Sequence, residues 1–340
     1  MYEIDEIMEL ANLPSESIIS DQQKCYDRIN RFYREDEKLI SPYEYVIESD
    51  GQRMKIRSIF GGVPNKPAKI KRIKNTGRAY SNYSEDYLEK LGFDTESNWN
   101  GQVVAARYNY NGVLQIAETD YYTTSLFSNI LFLESSVNDN MTARKEFADD
   151  VEDFPDVPWF TTGCSIGGLI VNQHENGVKA LLGLRSGSKT LNPNRYSIVP
   201  NAKMKPSNQS NTTRKAIQKV LREEVLGFDV EHDELLGGTV DYRNIMNGWN
   251  LRNTEFLIQY LLDVRSQRAY DEIKRLVEET DNEFSETVEV ELSDVDDVTR
   301  VVNFEKMSPT VIPLVLESAD LLLDDDERNY SVEQVNFSND

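Results

Sequence analysis

PNAKMKPSNQSNTTRKAIQKVLREEVLG, residues 200–227, reads as a loop running into a helix that carries two adjacent carboxylates, Glu223 and Glu224. Ile217, Val220, Leu221 and Val225 recur at three- and four-residue spacing, so they share one face and can pack on a core. Pro206, Ser207 and the Asn/Ser/Thr run before Arg214 supply turn and cap chemistry, and Gly227 is placed to end the helix. Glu224 follows Val220 by four residues and Ala216 by eight, which predicts it at the boundary of the buried face, with Glu223 nearer solvent. Two oxygen donors so placed suit Mg²⁺, which keeps most of its waters and takes one or two carboxylates plus substrate phosphates. The alternative reading is an ordinary solvated Glu-Glu pair near a helix end.

The segments around this helix come in an informative order. GCSIGGLIVNQHENGVKALLGLR, residues 163–185, gives an apolar run Ile166–Val171, a turn at Asn176-Gly177 and a second run Val178–Leu184, which predicts a β-hairpin. Arg185 closes the second run, and Tyr196–Pro200 leads into the loop and helix. Glu255–Val264 reads as a strand, as does the stretch around Asn282–Val290, and Pro309–Leu323 reads as an apolar helix.

In this order the chain resembles the Nudix hydrolase superfamily over residues ~160–323, about half its length. Leu181-Leu182-Gly183-Leu184-Arg185-Ser186 matches that family's strand ending in Arg-Ser, and Pro200-Asn201-Ala202-Lys203 matches its Pro-Gly-Gly-Lys loop. Asn282-Glu283-Phe284-Ser285-Glu286-Thr287-Val288-Glu289-Val290 resembles its later Glu-bearing strand. The resemblance implies an α/β/α sandwich around a mixed sheet. It also implies Mg²⁺ or Mn²⁺ held by Glu223 and Glu224, with Glu224 and Glu286 as catalytic candidates and Arg185, Asn201 and Lys203 in contact with a nucleotide-type ligand. The departures are specific: Asn201 and Ala202 replace the loop glycines, Asn208 replaces a loop carboxylate, and Lys219 stands where the family has Arg. Val220 stands where it has its most critical Glu, and Leu226 is one residue extra before Gly227. Hydrolysis of this class needs clustered carboxylates to hold the metal and place a water. Three functions stay open: a metal-dependent hydrolase of a nucleoside diphosphate linked to another group, a non-catalytic Nudix-fold module binding a ligand or partner, and an adaptor built around the basic block 63–78.

The chain has 340 residues, enough for two cores, and Asp149–Pro158 (DDVEDFPDVP) is the best boundary candidate. The expected architecture is an α+β amino-terminal domain over 1–155, a Nudix-like sandwich over 156–323 and an acidic frayed tail over 324–340. No apolar run approaches the ~20 residues of a bilayer span, and the acidic start MYEIDEIMEL lacks a secretory pattern, so a cytoplasmic protein is expected. A net charge of −22 argues against general nucleic-acid affinity and fits a chain kept in solution at high salt. Cys25 and Cys164 read as two free thiols.

Tyr2–Leu13 and Asp21–Leu39 show helical spacing within a first segment, 1–50, that reads as helical. Val103–Tyr110 and Val113–Ala117, joined at Asn111-Gly112, read as a hairpin packed with a helix. VPNKPAKIKRIKNTGR, residues 63–78, is the one basic block: Lys66, Lys69, Lys71, Arg72, Lys74 and Arg78 without an acid, followed by Tyr80 and Tyr83. It reads as a phosphate or nucleic-acid contact with stacking tyrosines, a solvated loop, or a seat for the chain's own acidic surface. Gly163-Cys164-Ser165-Ile166-Gly167 matches the five-residue nucleophile elbow, but a strand follows it where that motif needs a helix. Neither His174 nor His232 has a second ligand at metal spacing.

Overall fold

The computed structural model describes residues 41–62, 68–72, 101–110, 112–121, 124, 136–138, 141–142, 162–175, 177–186, 194–206, 212–226, 239–250, 255–279, 284–301, 307–308 and 311–336. The helices expected at Tyr2–Leu13 and Asp21–Leu39, the boundary segment 149–158, Gly227 and His232 lie outside them. The first strands are β1 (Ser41–Ser49), β2 (Gln52–Gly62), β3 (Lys69–Arg72), β4 (Gln102–Tyr110) and β5 (Val113–Asp120). A short pair, β6 (Ser136–Asn138) and β7 (Met141–Thr142), stands apart as its own two-stranded sheet. Then come β8 (Thr162–His174), β9 (Gly177–Arg185), β10 (Tyr196–Ile198), β11 (Asn201–Lys203), β12 (Val240–Asn250), β13 (Glu255–Val264), β14 (Phe284–Glu291) and β15 (Ser331–Asn336). The helices are α1 (Thr213–Leu221), continued by a π-helical turn Arg222–Leu226, then α2 (Gln267–Glu279), α3 (Val295–Val301) and α4 (Val311–Leu322).

The expected hairpin is present: β8 and β9 pair antiparallel from Ile170↔Leu181 to His174↔Gly177, with Asn176 outside the described residues. Gly177 has φ +150°, and a Cβ there would run into the Glu291 carboxylate, so the turn needs a residue without one. β13 runs parallel to β8, and β14 runs antiparallel to β9, so the expected mixed sheet is present. The strand order is β15-β1-β2-β12-β13-β8-β4-β5-β3, with β9, β10, β11 and β14 branching from β8 and β9.

Alternation along β8 sorts the core into two layers. Ile166 and Ile170 join α1 and α2 residues Ile217, Val220, Leu221, Tyr270 and Ile273 on one face. Leu169 and Val171 join α4 residues Val311, Leu314 and Val315 and α3 residue Val298 on the other. The helix 213–226 and the helix near 309–323 therefore cover opposite faces, as the α/β/α expectation required. β13 is buried at all ten positions, as a central strand covered on both faces must be.

Three segments differ from the sequence reading or extend it. Residues 41–49 form a strand where 1–50 read as helical, because Tyr45 and Ile47 alternate onto the α4 side of the core. Ser331–Asn336, in the segment expected as a frayed tail, pair antiparallel with β1, and Tyr330 beside them is buried. The strands of the first 120 residues also bond into the main sheet, β4 to β8 through Ala105↔Gly163 and β2 to β12 through Gly248↔Gly62. Among the described residues no helix is long and apolar enough to cross a membrane.

Candidate functional site

Helix α1 starts where the sequence placed it. Thr212 is the N-cap, its hydroxyl accepting from the Lys215 amide at 3.3 Å, and the Thr213 hydroxyl meets Tyr260 Oη at 2.6 Å to fasten the first turn to β13. The helix ends in a π turn at Arg222–Leu226. Such a turn absorbs one inserted residue into a helix while keeping its two ends packed, and it is the structural counterpart of the extra Leu226. It lets both Val225 and Leu226 reach the core.

The turn also reverses the expected order of the two glutamates. Glu223 is the more covered, with its side chain 15% exposed and Lys219 Nζ at 3.9 Å. Glu224 is 35% exposed with Lys205 Nζ at 3.7 Å. Val220 is fully buried in the layer with Ile166, Phe256 and Ile258. Among the described residues the donor set does not fit a resident divalent ion: it offers two carboxylates, each beside a different ammonium, and the third position is filled by core hydrocarbon. Among the described residues no group of three or more His, Cys, Asp or Glu is arranged to hold a metal.

The remaining candidates divide between the two faces of the sheet. Arg185 alternates with Leu181 and Gly183, and a Cβ on Gly183 would run into the Phe284 ring, which places Arg185 on the α1–α2 side. Glu286 lies on the α3–α4 side, where it accepts from Tyr196 Oη at 3.2 Å and shares its face with Val288 and Val290. The burial of Tyr196 and then the Glu286 carboxylate raise that phenol's pKa. A bulge between Phe284 and Glu286 explains the difference: unbroken alternation would put both on one face, and the extra residue moves Glu286 to the other. Glu286 therefore does not join Glu223 and Glu224.

Asn201 and Lys203 also sit on the α3–α4 side. Asn201 Oδ1 lies 3.2 Å from where a Gly167 Cβ would be, and Lys203 Nζ is 2.8 Å from Glu255 Oε1. Ser165 donates a short hydrogen bond to the same Glu255 oxygen. The side chains of Lys203 and Glu255 are 17% and 9% exposed, so this is a nearly buried ion pair, with the Tyr121 ring 5.9 Å from the ammonium. Cys164, next along β8, points to the other layer with its thiol 3.5 Å from Met204 Sδ. Burial above all, then the Glu255 charge, pushes that thiol far up in pKa against the opposing pull of Lys203, so it stays an unreactive SH.

Ser165 is thus bonded to a carboxylate, and His174 is placed at the far end of β8, 3.0 Å from Glu291. The serine-hydrolase reading of residues 163–167 has no histidine base among the described residues. Glu255 itself was missed in the sequence. Its signal was the spacing Glu255, Gln259, Asp263 in an otherwise apolar strand: polar residues four apart on a strand share one face. All three are buried, and Gln259 Oε1 and Asp263 Oδ1 have no hydrogen-bond partner among the described residues.

No protein-family model matches the chain, and no curated protein matches it by sequence. Solved structures do. A protein of Deinococcus radiodurans is 17% identical over 45% of this chain and 81% of its own, at a TM-score of 0.31. The Nudix domain of Shewanella oneidensis NrtR, crystallised with ADP ribose, is 10% identical over 46% and 86%, at 0.32. An Ap4A hydrolase of C. elegans is 12% identical over 47% and 97%, at 0.30. In this chain itself the hairpin, the mixed sheet and the helices on opposite faces occur in the order that the sequence resemblance implied, a divergent Nudix-type arrangement.

Proposed function

We propose that this chain is a Nudix-like module that binds a nucleoside diphosphate linked to another group and does not hydrolyse it. One observation carries the reading: Val220, where the Nudix pattern has its critical Glu, is fully buried in the core between α1 and the sheet. A carboxylate cannot be restored there without placing a charge among hydrocarbons. The two glutamates that remain sit beside lysines, which supply locally the positive charge that a metal would otherwise bring. Arg185, on the same face, is the residue this reading assigns to phosphate.

A metal-dependent diphosphohydrolase is the second reading. Its support is the length and exposure of the pairs at 3.7 and 3.9 Å, which an ion arriving with a diphosphate could displace. Both readings are tested by a thermal-shift panel of nucleoside diphosphate derivatives, ADP ribose and Ap4A included, with and without Mg²⁺ or Mn²⁺, run beside a chromatographic assay for cleaved product. Stabilisation without product, reduced by Arg185→Gln, is the expected result. Product formation that Glu223→Gln, Glu224→Gln removes would establish the hydrolase instead.

A further inference from the structure

Residues 68–72 of the basic block are brought by the fold against the start of α1, which lies 143 residues further along the chain from Lys69 to Thr212. β3 is the outer strand of its end of the sheet, pairing parallel to β5 from Lys69↔Val113 to Arg72↔Ile116. Its far side is tied to the α1 N-cap: Lys69 bridges Thr212, and the Thr213 amide donates to Ala68 O at 3.3 Å. Ile70 packs inward against the α1–α2 layer while Lys69 and Lys71 are exposed. Arg214 and Lys215, in the first turn of α1, are exposed too, and that turn contains no acid. Four cations from two distant segments therefore wrap one sheet edge. None of the four forms an ion pair with an acid among the described residues, and the β5 positions paired with Lys69 and Lys71 are uncharged Val113 and Gln115.

An aromatic ring accompanies the cations: that of Tyr242 lies 5.9 Å from the Arg214 guanidinium. A cluster of exposed cations beside an aromatic ring is the arrangement that holds a flexible polyanion with exposed bases. A small phosphate ligand gains little from such an exposed surface, and a duplex has no unstacked bases to offer the ring. The −22 charge of the whole chain does not forbid this, because charges more than about 10 Å away are largely screened at 0.1 M salt. We propose that this edge, centred on Lys69, Lys71, Arg214 and Lys215, is a binding surface for single-stranded nucleic acid, recognised through its phosphates without sequence reading.

The test is fluorescence anisotropy of labelled oligo(dT) with the full chain across a salt series starting at about 50 mM. Four phosphate contacts predict a slope of log affinity on log salt of roughly −3, at about −0.7 per contact on a single strand. The variant Lys69→Gln, Lys71→Gln, Arg214→Gln, Lys215→Gln changes only exposed side chains and should keep the wild-type melting temperature while binding about tenfold or more weaker. The control Arg53→Gln, Lys55→Gln, on exposed positions of β2, should bind as wild type. The proposal is overturned by absence of binding at the lowest salt, by an unchanged quadruple variant, or by an equal loss in the control. It is likewise overturned if polyglutamate displaces the oligonucleotide as well as unlabelled oligo(dT) does, which would make the edge a general acidic-peptide surface, or if a duplex binds as tightly.

Discussion

On the α1–α2 face, Glu223 and Glu224 stand at the end of a helix, partly open to solvent and loosely paired with Lys219 and Lys205. On the α3–α4 face, Glu255 is closed in by Lys203 at 2.8 Å and by the Ser165 hydroxyl. The same side chain is replaceable in one setting and structural in the other, because the Coulomb gain and desolvation cost of an ion pair both grow as water is removed. A sequence motif points to the first pair, yet the second is held more tightly. Motif and energetics need not choose the same residues.

The sharpest break of this contrast is Val220→Glu. Its position is core, so an unpaired charge there should unfold a domain whose whole stability is about 5–15 kcal/mol. Circular dichroism at room temperature checks this, and a folded variant with the wild-type urea midpoint would show that the α1 layer can open toward solvent. Next in size is Glu255→Ala, which leaves the Lys203 ammonium buried without its partner and should cost roughly 3–5 kcal/mol by urea denaturation. The double change Glu255→Leu, Lys203→Met removes both charges and should regain most of that loss. If single and double variants fall equally, packing and not the ion pair is what matters there.

Much of the fold was legible in the sequence because periodicity and turn chemistry report directly on burial. Asn176-Gly177 between two apolar runs can hardly be anything but a hairpin, and EFLIQYLLDV, residues 255–264, is too uniformly apolar to lie at a surface. The site was less legible, since it depends on which face each residue takes. Two single-residue irregularities, the π turn at 222–226 and the bulge before Glu286, each reassign a carboxylate. The first left a trace as the extra Leu226, whereas the second left none, because Phe284-Ser285-Glu286 reads as ordinary alternation. Long-range pairings such as Lys69 with Thr212 or Ser165 with Glu255 had no local signature at all.

A pH experiment sharpens the contrast along β13. Burial raises the Asp263 carboxyl above its usual 3.8, while Arg243 and Arg265 partly oppose the shift; Gln173 Nε2 donates to Oδ2 at 2.8 Å, and Oδ1 has no partner among the described residues. The folded state thus holds this proton more firmly than the unfolded chain. Its contribution to stability is complete below the unfolded pKa and is lost as pH rises through the folded one. Asp263→Asn should therefore be more stable than wild type at about pH 7, with the advantage shrinking toward about pH 4 in urea midpoints. A variant less stable than wild type at neutral pH would mean that the ionised carboxylate is the form the fold uses. The smallest effect belongs to Glu223→Gln, Glu224→Gln, where partly exposed pairs predict a change of about 0–1 kcal/mol in thermal melts. A loss well beyond that would make the glutamates structural, as Glu255 is.

Whether the proposed diphosphate ligand is held without being cut is decided by phosphorus NMR of ADP ribose, mixed with the intact chain and Mg²⁺ and followed for hours. The diphosphate resonances should broaden or shift on adding protein while no monophosphate signal appears. A growing monophosphate resonance that scales with protein concentration would mean that the chain hydrolyses it.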